Sequence, residues 1–155
     1  MSDAPIHVSE LQETIARWWW NYDEGHFDVL ASVLTDDVHF VCRTDTGTTD
    51  FEEFVRADVR GRDDVMAWEI QHRTDSPYPL RHHGTNLHVT ARRNDAVAEA
   101  DFASYIHVTH NTEAGVTNLS SAIVNGTVRR VGDAVLIAAL EVVLDTRQSV
   151  LFSQR

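Results

Sequence analysis

The chain has very little cysteine: one residue, Cys42, in 155. No internal disulfide can form, and a zinc site built from several cysteines is excluded. A lone thiol fits a reducing cytoplasm, the expected location. Positive charge is also scarce. Thirteen Lys and Arg stand against 24 Asp and Glu, a formal charge of -11 at pH 7. Nucleic-acid phosphates need clustered cations, and an anionic membrane surface repels an acidic chain, so neither is expected as a partner. No apolar run approaches the length of a membrane span. The first residues lack a basic region followed by an apolar run, so no secretory signal is expected. Internal repeats and low-complexity segments are absent.

What remains is an ordinary globular composition, long enough to bury a core without staples. It predicts one domain over residues 1–155, with residues 1–8 as a flexible arm. Ser9, with Gln12 three residues on, has the pattern of a capping box opening a helix. Leu11, Ile15, Trp18, Trp19 and Tyr22 recur at helical spacing on one face, and Gly25 breaks the helix. Asp23 falls at the rim of that aromatic stripe. Desolvation there can raise a carboxylate's pKa; a solvated helix-end residue is the alternative. Trp20 points away from the stripe.

Phe27, Leu30, Ala31 and Leu34 predict a short second helix ended by Thr35-Asp36-Asp37. Val38 to Cys42 reads as a first strand. Phe51 to Arg60 fits either a helix turn or a short strand. A third helix is predicted over about Asp63 to His72, with Val65, Met66, Trp68 and Ile70 as its apolar positions. Ser76-Pro77-Tyr78-Pro79 stops it, since proline disfavours helix in the residue before it. Then the pattern changes. His82 to Arg92, Ala96 to His110, Val116 to Val131 and Ala134 to Thr146 read as long strands. Arg93-Asn94-Asp95, Asn111 to Gly115 and Gly132-Asp133 are turns between them. Helices followed by turn-linked strands predict an α+β fold, helices on one face of a mainly antiparallel sheet.

Nine histidines is a high count, and six lie between His72 and His110. Histidine titrates near neutrality and serves as acid, base or ligand. The stretch Arg81-His82-His83-Gly84-Thr85-Asn86 opens the strand block. Combined with Tyr22-Asp23, the Leu34-to-Val38 segment and Gly61-Arg62-Asp63, it gives an order that resembles the SnoaL-like branch of the nuclear transport factor 2-like superfamily. The resemblance covers nearly the whole chain and implies a cone-shaped α+β barrel, three helices packed on a curved sheet.

Two cofactor-free lyases of that superfamily are similar at particular residues. Scytalone dehydratase has a Tyr-Asp like Tyr22-Asp23, and the Asp partners a His that matches His82. His107 matches a second pocket histidine. Hexachlorocyclohexane dehydrochlorinase has a stretch that resembles His82-His83-Gly84-Thr85-Asn86. The resemblance implies a His–Asp dyad in which His82 removes a proton from carbon and Asp23 orients it. Such a carboxylate fixes the imidazole tautomer and stabilises the imidazolium. Tyr22 and His107 are candidate donors to an oxyanion or leaving group. Trp19, Phe40, His83 and Tyr105 are candidate pocket walls.

The pattern departs from those lyases at Cys42, where a pocket tyrosine is expected, and at Val124, where an asparagine is expected. Leu136 to Leu140 is wholly apolar, where the dehydrochlorinase has a basic residue. Strict alternation raises a further tension. It groups His83 with Leu87 and Val89 and puts His82 on the other face, unless a bulge intervenes. His72 suits the negative end of its helix. A metal held by His82, His107 and Asp23 has no short-range ligand pair behind it, and neither metal nor cofactor is expected. The expectation is a cofactor-independent dehydratase, cyclase or isomerase acting on a hydrophobic cyclic small molecule, as a homodimer. The alternatives are a β-subunit-like partner of an aromatic-ring-hydroxylating dioxygenase, or a ligand-binding module.

Overall fold

A computed structural model of the chain describes residues 4–94 and 97–150. Parts of two expected features, residues 1–3 of the arm and the turn around Asp95 and Ala96, lie outside them. Helix α1 (Val8–Glu24) buries Leu11, Ile15, Trp18, Trp19 and Tyr22, the stripe read from the sequence. Its cap lies two residues earlier than Ser9: the His7 amide donates to Glu10 Oε2 at 2.9 Å. The segment before it is less free than expected. Ile6 is 2% exposed, and Arg130 Nε donates to the Ala4 carbonyl at 3.1 Å. Arg130 also pairs with Glu10 at 2.8 Å, so an arginine ties down the first turn of α1.

Gly25 closes α1 in the left-handed region at φ 69°. Its amide donates to the Tyr22 carbonyl, and the His26 amide donates to the Asn21 carbonyl. These two bonds cap the helix C-terminus, and glycine allows them at no steric cost. Helix α2 (Phe27–Ser32) is shorter than the sequence predicts. Leu34 begins strand β1 (Leu34–Thr44) because it pairs with Ile137, and the Ile137 amide donates to the Val33 carbonyl at 2.8 Å.

The ambiguous segment from Phe51 to Arg60 does both things. Helix α3 (Glu52–Val55) is followed at once by strand β2 (Ala57–Arg60), antiparallel to β1. Glu52 anchors the turn from below, accepting from the Thr44 amide at 3.2 Å and from the Thr44 hydroxyl. Helix α4 (Arg62–Asp75) then runs to the proline stop. Strands β3 (Leu80–Asn94), β4 (Ala98–Thr112), β5 (Gly115–Val131) and β6 (Ala134–Leu144) form an antiparallel meander.

The six strands lie in the order β2-β1-β6-β5-β4-β3, with β1 and β6 parallel. The sheet is curved and does not close, and the helices pack against it in a cone-like α+β fold. Phe102, Ile106, Val108, Val124, Val128, Leu140 and Val142 form its buried face. Among the described residues no helix is long and apolar enough to cross a membrane.

Candidate functional site

Trp19 lies near the end of α1, and Tyr22 and Asp23 lie in its last turn, all buried. Arg73 on α4 holds this turn in place. Its guanidinium donates from Nε to the carbonyls of Tyr22 and Asp23 at 3.1 Å each, and from Nη2 to the Asp23 carbonyl at 2.9 Å. These are the carbonyls a helix end leaves without partners, and a cation there also complements the helix dipole.

β3 is an edge strand, and Asp23 lies against it. His82 Nδ1 donates to Asp23 Oδ1 at 2.6 Å, and the His82 backbone amide donates to Oδ2 at 2.7 Å. One carboxylate thus holds one residue at two atoms, fixing both strand and ring. The indole of Trp19 stacks on the imidazole at 4.6 Å, with 9° between the planes. The Tyr22 ring meets it edge-on at 5.4 Å. With Nδ1–H given to the carboxylate, Nε2 carries the lone pair.

A local irregularity makes His82 the inward residue. The β3–β4 register shifts between Thr85 and His88, and Asn86 stands at φ 57°, an unusual conformation for a residue other than glycine. Before this bulge Leu80, His82 and Gly84 face the helices; after it, Leu87 and Val89 do. The extra residue reverses the parity, so Leu80 and His82 share the inner face with Leu87 and Val89.

A cavity of about 340 Å³ opens in front of His82. Its walls are mainly apolar, with Phe40, Phe54, Trp68, Leu80, Ile106 and Val142 among them. His82 is on this wall and Asp23 is not. A second groove, of about 580 Å³, runs along α1 past Trp20, His83 and Asn86 and is lined by both members of the dyad.

The cavity has a second polar end. Tyr22 is bonded to His72 Nδ1 at 2.6 Å. Burial lowers the His72 pKa to about 4, so the ring is neutral at pH 7. Burial raises the phenol's own pKa, keeping it protonated. His72 Nε2 is buried without a partner among the described residues. One turn earlier, Glu69 is 3% exposed, and burial holds its carboxyl well above the ordinary carboxylate range. Cys42 is pushed up to about 12, chiefly by burial, and is no nucleophile at neutral pH.

Of the residues singled out from sequence, Asp23, His82, Tyr22, Trp19 and Phe40 come together here. Three do not. The inward parity of β4 belongs to Phe102, Ser104, Ile106 and Val108, so Tyr105 (51% exposed) and His107 face out. His83 is exposed beside His107, their rings 6.1 Å apart, and bonds Thr109 Oγ1 at 3.0 Å. The expected pocket roles of His107, His83 and Tyr105 therefore find no support in their positions. Since His107 and His82 lie on opposite faces, they cannot share a metal with Asp23. Among the described residues no group of three or more His, Cys, Asp and Glu is gathered for one.

Glu69 and His72 were legible only as positions on a helix face. Counting by threes and fours from Val65 gives Trp68, Glu69 and His72, whereas Ile70, counted as apolar core, is 39% exposed.

The sequence matches a family model described as a SnoaL-like domain over residues 7–141. No curated protein matches it. Among solved structures, it is similar to a Catenulispora acidiphila protein in complex with S-DNPA: 26% identity, 86% of this chain and 91% of that one covered, TM-score 0.61. A candidate scytalone dehydratase from Novosphingobium aromaticivorans has 15% identity, coverage of 92% and 88%, and TM-score 0.68. The β subunit of a candidate aromatic-ring-hydroxylating dioxygenase from the same organism has 12% identity, coverage of 93% and 92%, and TM-score 0.69. The last two likenesses are of fold alone.

Proposed function

This chain belongs to the family of SnoaL-like domains, and we propose that it is a cofactor-independent lyase or isomerase acting on a hydrophobic cyclic small molecule. The observation that carries the proposal is the imidazole of His82, anchored by Asp23 at 2.6 Å and facing an apolar cavity. A ring seated in the cavity brings a carbon-bound hydrogen to Nε2. The imidazole takes the proton, and Asp23 stabilises the imidazolium through Nδ1–H. The same nitrogen returns the proton to a leaving hydroxyl in a dehydration, or to a different carbon in an isomerisation or cyclisation. Trp19, stacked on the imidazole, keeps its plane fixed and water away from one face.

A non-catalytic partner of a dioxygenase has no use for an anchored imidazole at an open cavity, and a plain binding module has no use for its fixed tautomer. The enzyme reading uses both. The outward face of the sheet, where Thr85, Tyr105, Ile123 and Val143 stand in one row, is the surface we assign to a homodimer.

Deuterium incorporation from D₂O into a cyclic ketone, 1-tetralone, tests the base. The unaltered protein exchanges the hydrogens beside the carbonyl. His82→Ala and Asp23→Asn each slow this by about two orders of magnitude or more, the usual scale of acid–base removal. Equal rates in all three proteins refute the dyad.

A further inference from the structure

Between Asp45, whose amide donates to the Leu144 carbonyl at 3.0 Å, and Ala57, which pairs with Cys42, the chain leaves the sheet. This excursion carries three residues of the cavity wall, Phe51, Phe54 and Val55. Phe51 and Phe54 are 47% and 45% exposed, so they line the cavity and meet solvent at once, as residues of a mouth do. Half-exposed rings gain only part of their burial energy, so apolar contact alone holds the excursion weakly. We infer that it is the gate of the cavity and that Glu52 is its latch, a positioning residue that sets the width of the mouth and so the size of ring admitted. This rests on the reading of the cavity as the binding site, and not on the chemistry at His82.

Glu52 is 6% exposed, although Phe51 and Glu53 on either side of it are exposed. Its carboxylate accepts from the Thr44 amide at 3.2 Å, from the Thr44 hydroxyl, and from the Thr49 hydroxyl at 3.2 Å. The Thr44 hydroxyl also accepts from the Gly47 amide at 2.9 Å, so both arms of the excursion meet at one point. The bonds from Thr44 hold the Glu52 carboxyl below the ordinary carboxylate range. It is therefore an anion at neutral pH, and bonds to an ionised acceptor are about twice as strong as neutral ones. Thr44 is itself fixed: it ends β1, is 1% exposed, and pairs with Leu144, another residue of the cavity wall. The latch thus ties the gate to the opposite wall. Phe54, two residues beyond it, lies against His72 with the rings 4.6 Å apart.

Size selectivity tests the latch. It is read as the ratio of affinities for 1-tetralone and for anthrone, a ketone one ring larger. Both are titrated by tryptophan fluorescence, since Trp19 and Trp68 line the cavity. Glu52→Ala opens the latch, and the tetralone-to-anthrone ratio is expected to fall about fivefold, the scale of one aromatic contact. Glu52→Gln keeps the length and an acceptor for the Thr44 amide, and should recover part of the ratio. Thr44→Val removes the hydroxyl with little change in shape. It should shift the ratio in the same direction, and the double variant should show less than the sum of the two. Thr44→Val carries the test where Glu52→Ala does not fold.

An unchanged ratio in these variants overturns the inference. So does a loss of affinity that is equal for the two ketones, the mark of an ordinary turn clasp, and so does failure of the unaltered protein to bind either. Deuterium exchange keeps the two proposals apart. Exchange by the unaltered protein, with a ratio that Glu52→Ala does not move, refutes the latch and leaves the base standing. A ratio that moves in a protein without exchange does the reverse.

Discussion

Asp23 is buried by the aromatic stripe of its own helix, yet both its oxygens are occupied by His82. Glu69 is buried to a similar degree with no such partner, and that difference has a consequence for stability. Burial raises the Glu69 pKa above its ordinary 4.5. Below pH 4.5 the carboxyl is protonated in both the folded and the unfolded chain, and titration contributes nothing. As pH rises past 4.5 the unfolded chain releases the proton and the folded chain keeps it, so stability is lost. Glu69→Gln should therefore raise Tm at pH 7, and the gain should disappear near pH 4, as read by scanning calorimetry. A gain independent of pH would mean that the carboxyl ionises in place. His72 runs the other way: its lowered pKa costs stability only as pH falls from 6.5 toward 4, where the unfolded ring takes a proton that the folded one refuses. Asp23 and His82 were legible in sequence because a matching motif names them. Glu69 and His72 were not, because a charged residue and a helix-end histidine read as solvated until tertiary packing covers them.

At the scale of elements, two devices place the dyad. The first is the pinning of α1 by an arginine at each end, Arg130 through Glu10 and Arg73 through the last carbonyls. Arg73→Met retains the stem and loses the cation's bonds to the Tyr22 and Asp23 carbonyls. It should cost about 3 kcal/mol in denaturant unfolding, since buried acceptors lose their charged donor. It should also slow deuterium exchange by loosening Asp23. The second device is the bulge at Asn86. Asn86→Gly should leave stability unchanged or slightly improved. Asn86→Val should cost about 1–2 kcal/mol, because a β-branched residue resists positive φ. This bulge is why simple alternation pointed to His83: period-two reasoning counts residues, and an inserted one cannot be counted without knowing where the pairing slips. The boundary of α2 escaped for a similar reason. Leu34 fits a helical stripe, but its pairing with Ile137 on a distant strand takes precedence over local spacing.

At the scale of the molecule, the order of elements was readable because turn signals separate long strands, and a meander needs little else. Which face each strand turns inward was less readable, since the inner rows of β4 and β5 and their outer rows both carry apolar residues. That ambiguity has a physical source. An antiparallel sheet with helices on one face normally shows polar residues on the other. Here Tyr105, 51% exposed, stands in register between Thr85 and Ile123, with Val143 completing the row. Such a row is suited to covering by a second copy, and a stable pairing buries about 800 Å² on each partner. Sedimentation velocity should give twice the chain mass. Ile123→Asp, which puts a charge at the centre of the row, should give the single mass. The cavity lies on the other side of the sheet and His107 takes no part in it, so the monomer should retain tetralone binding. Loss of binding together with dimerisation would mean instead that the pairing shapes the cavity through the sheet.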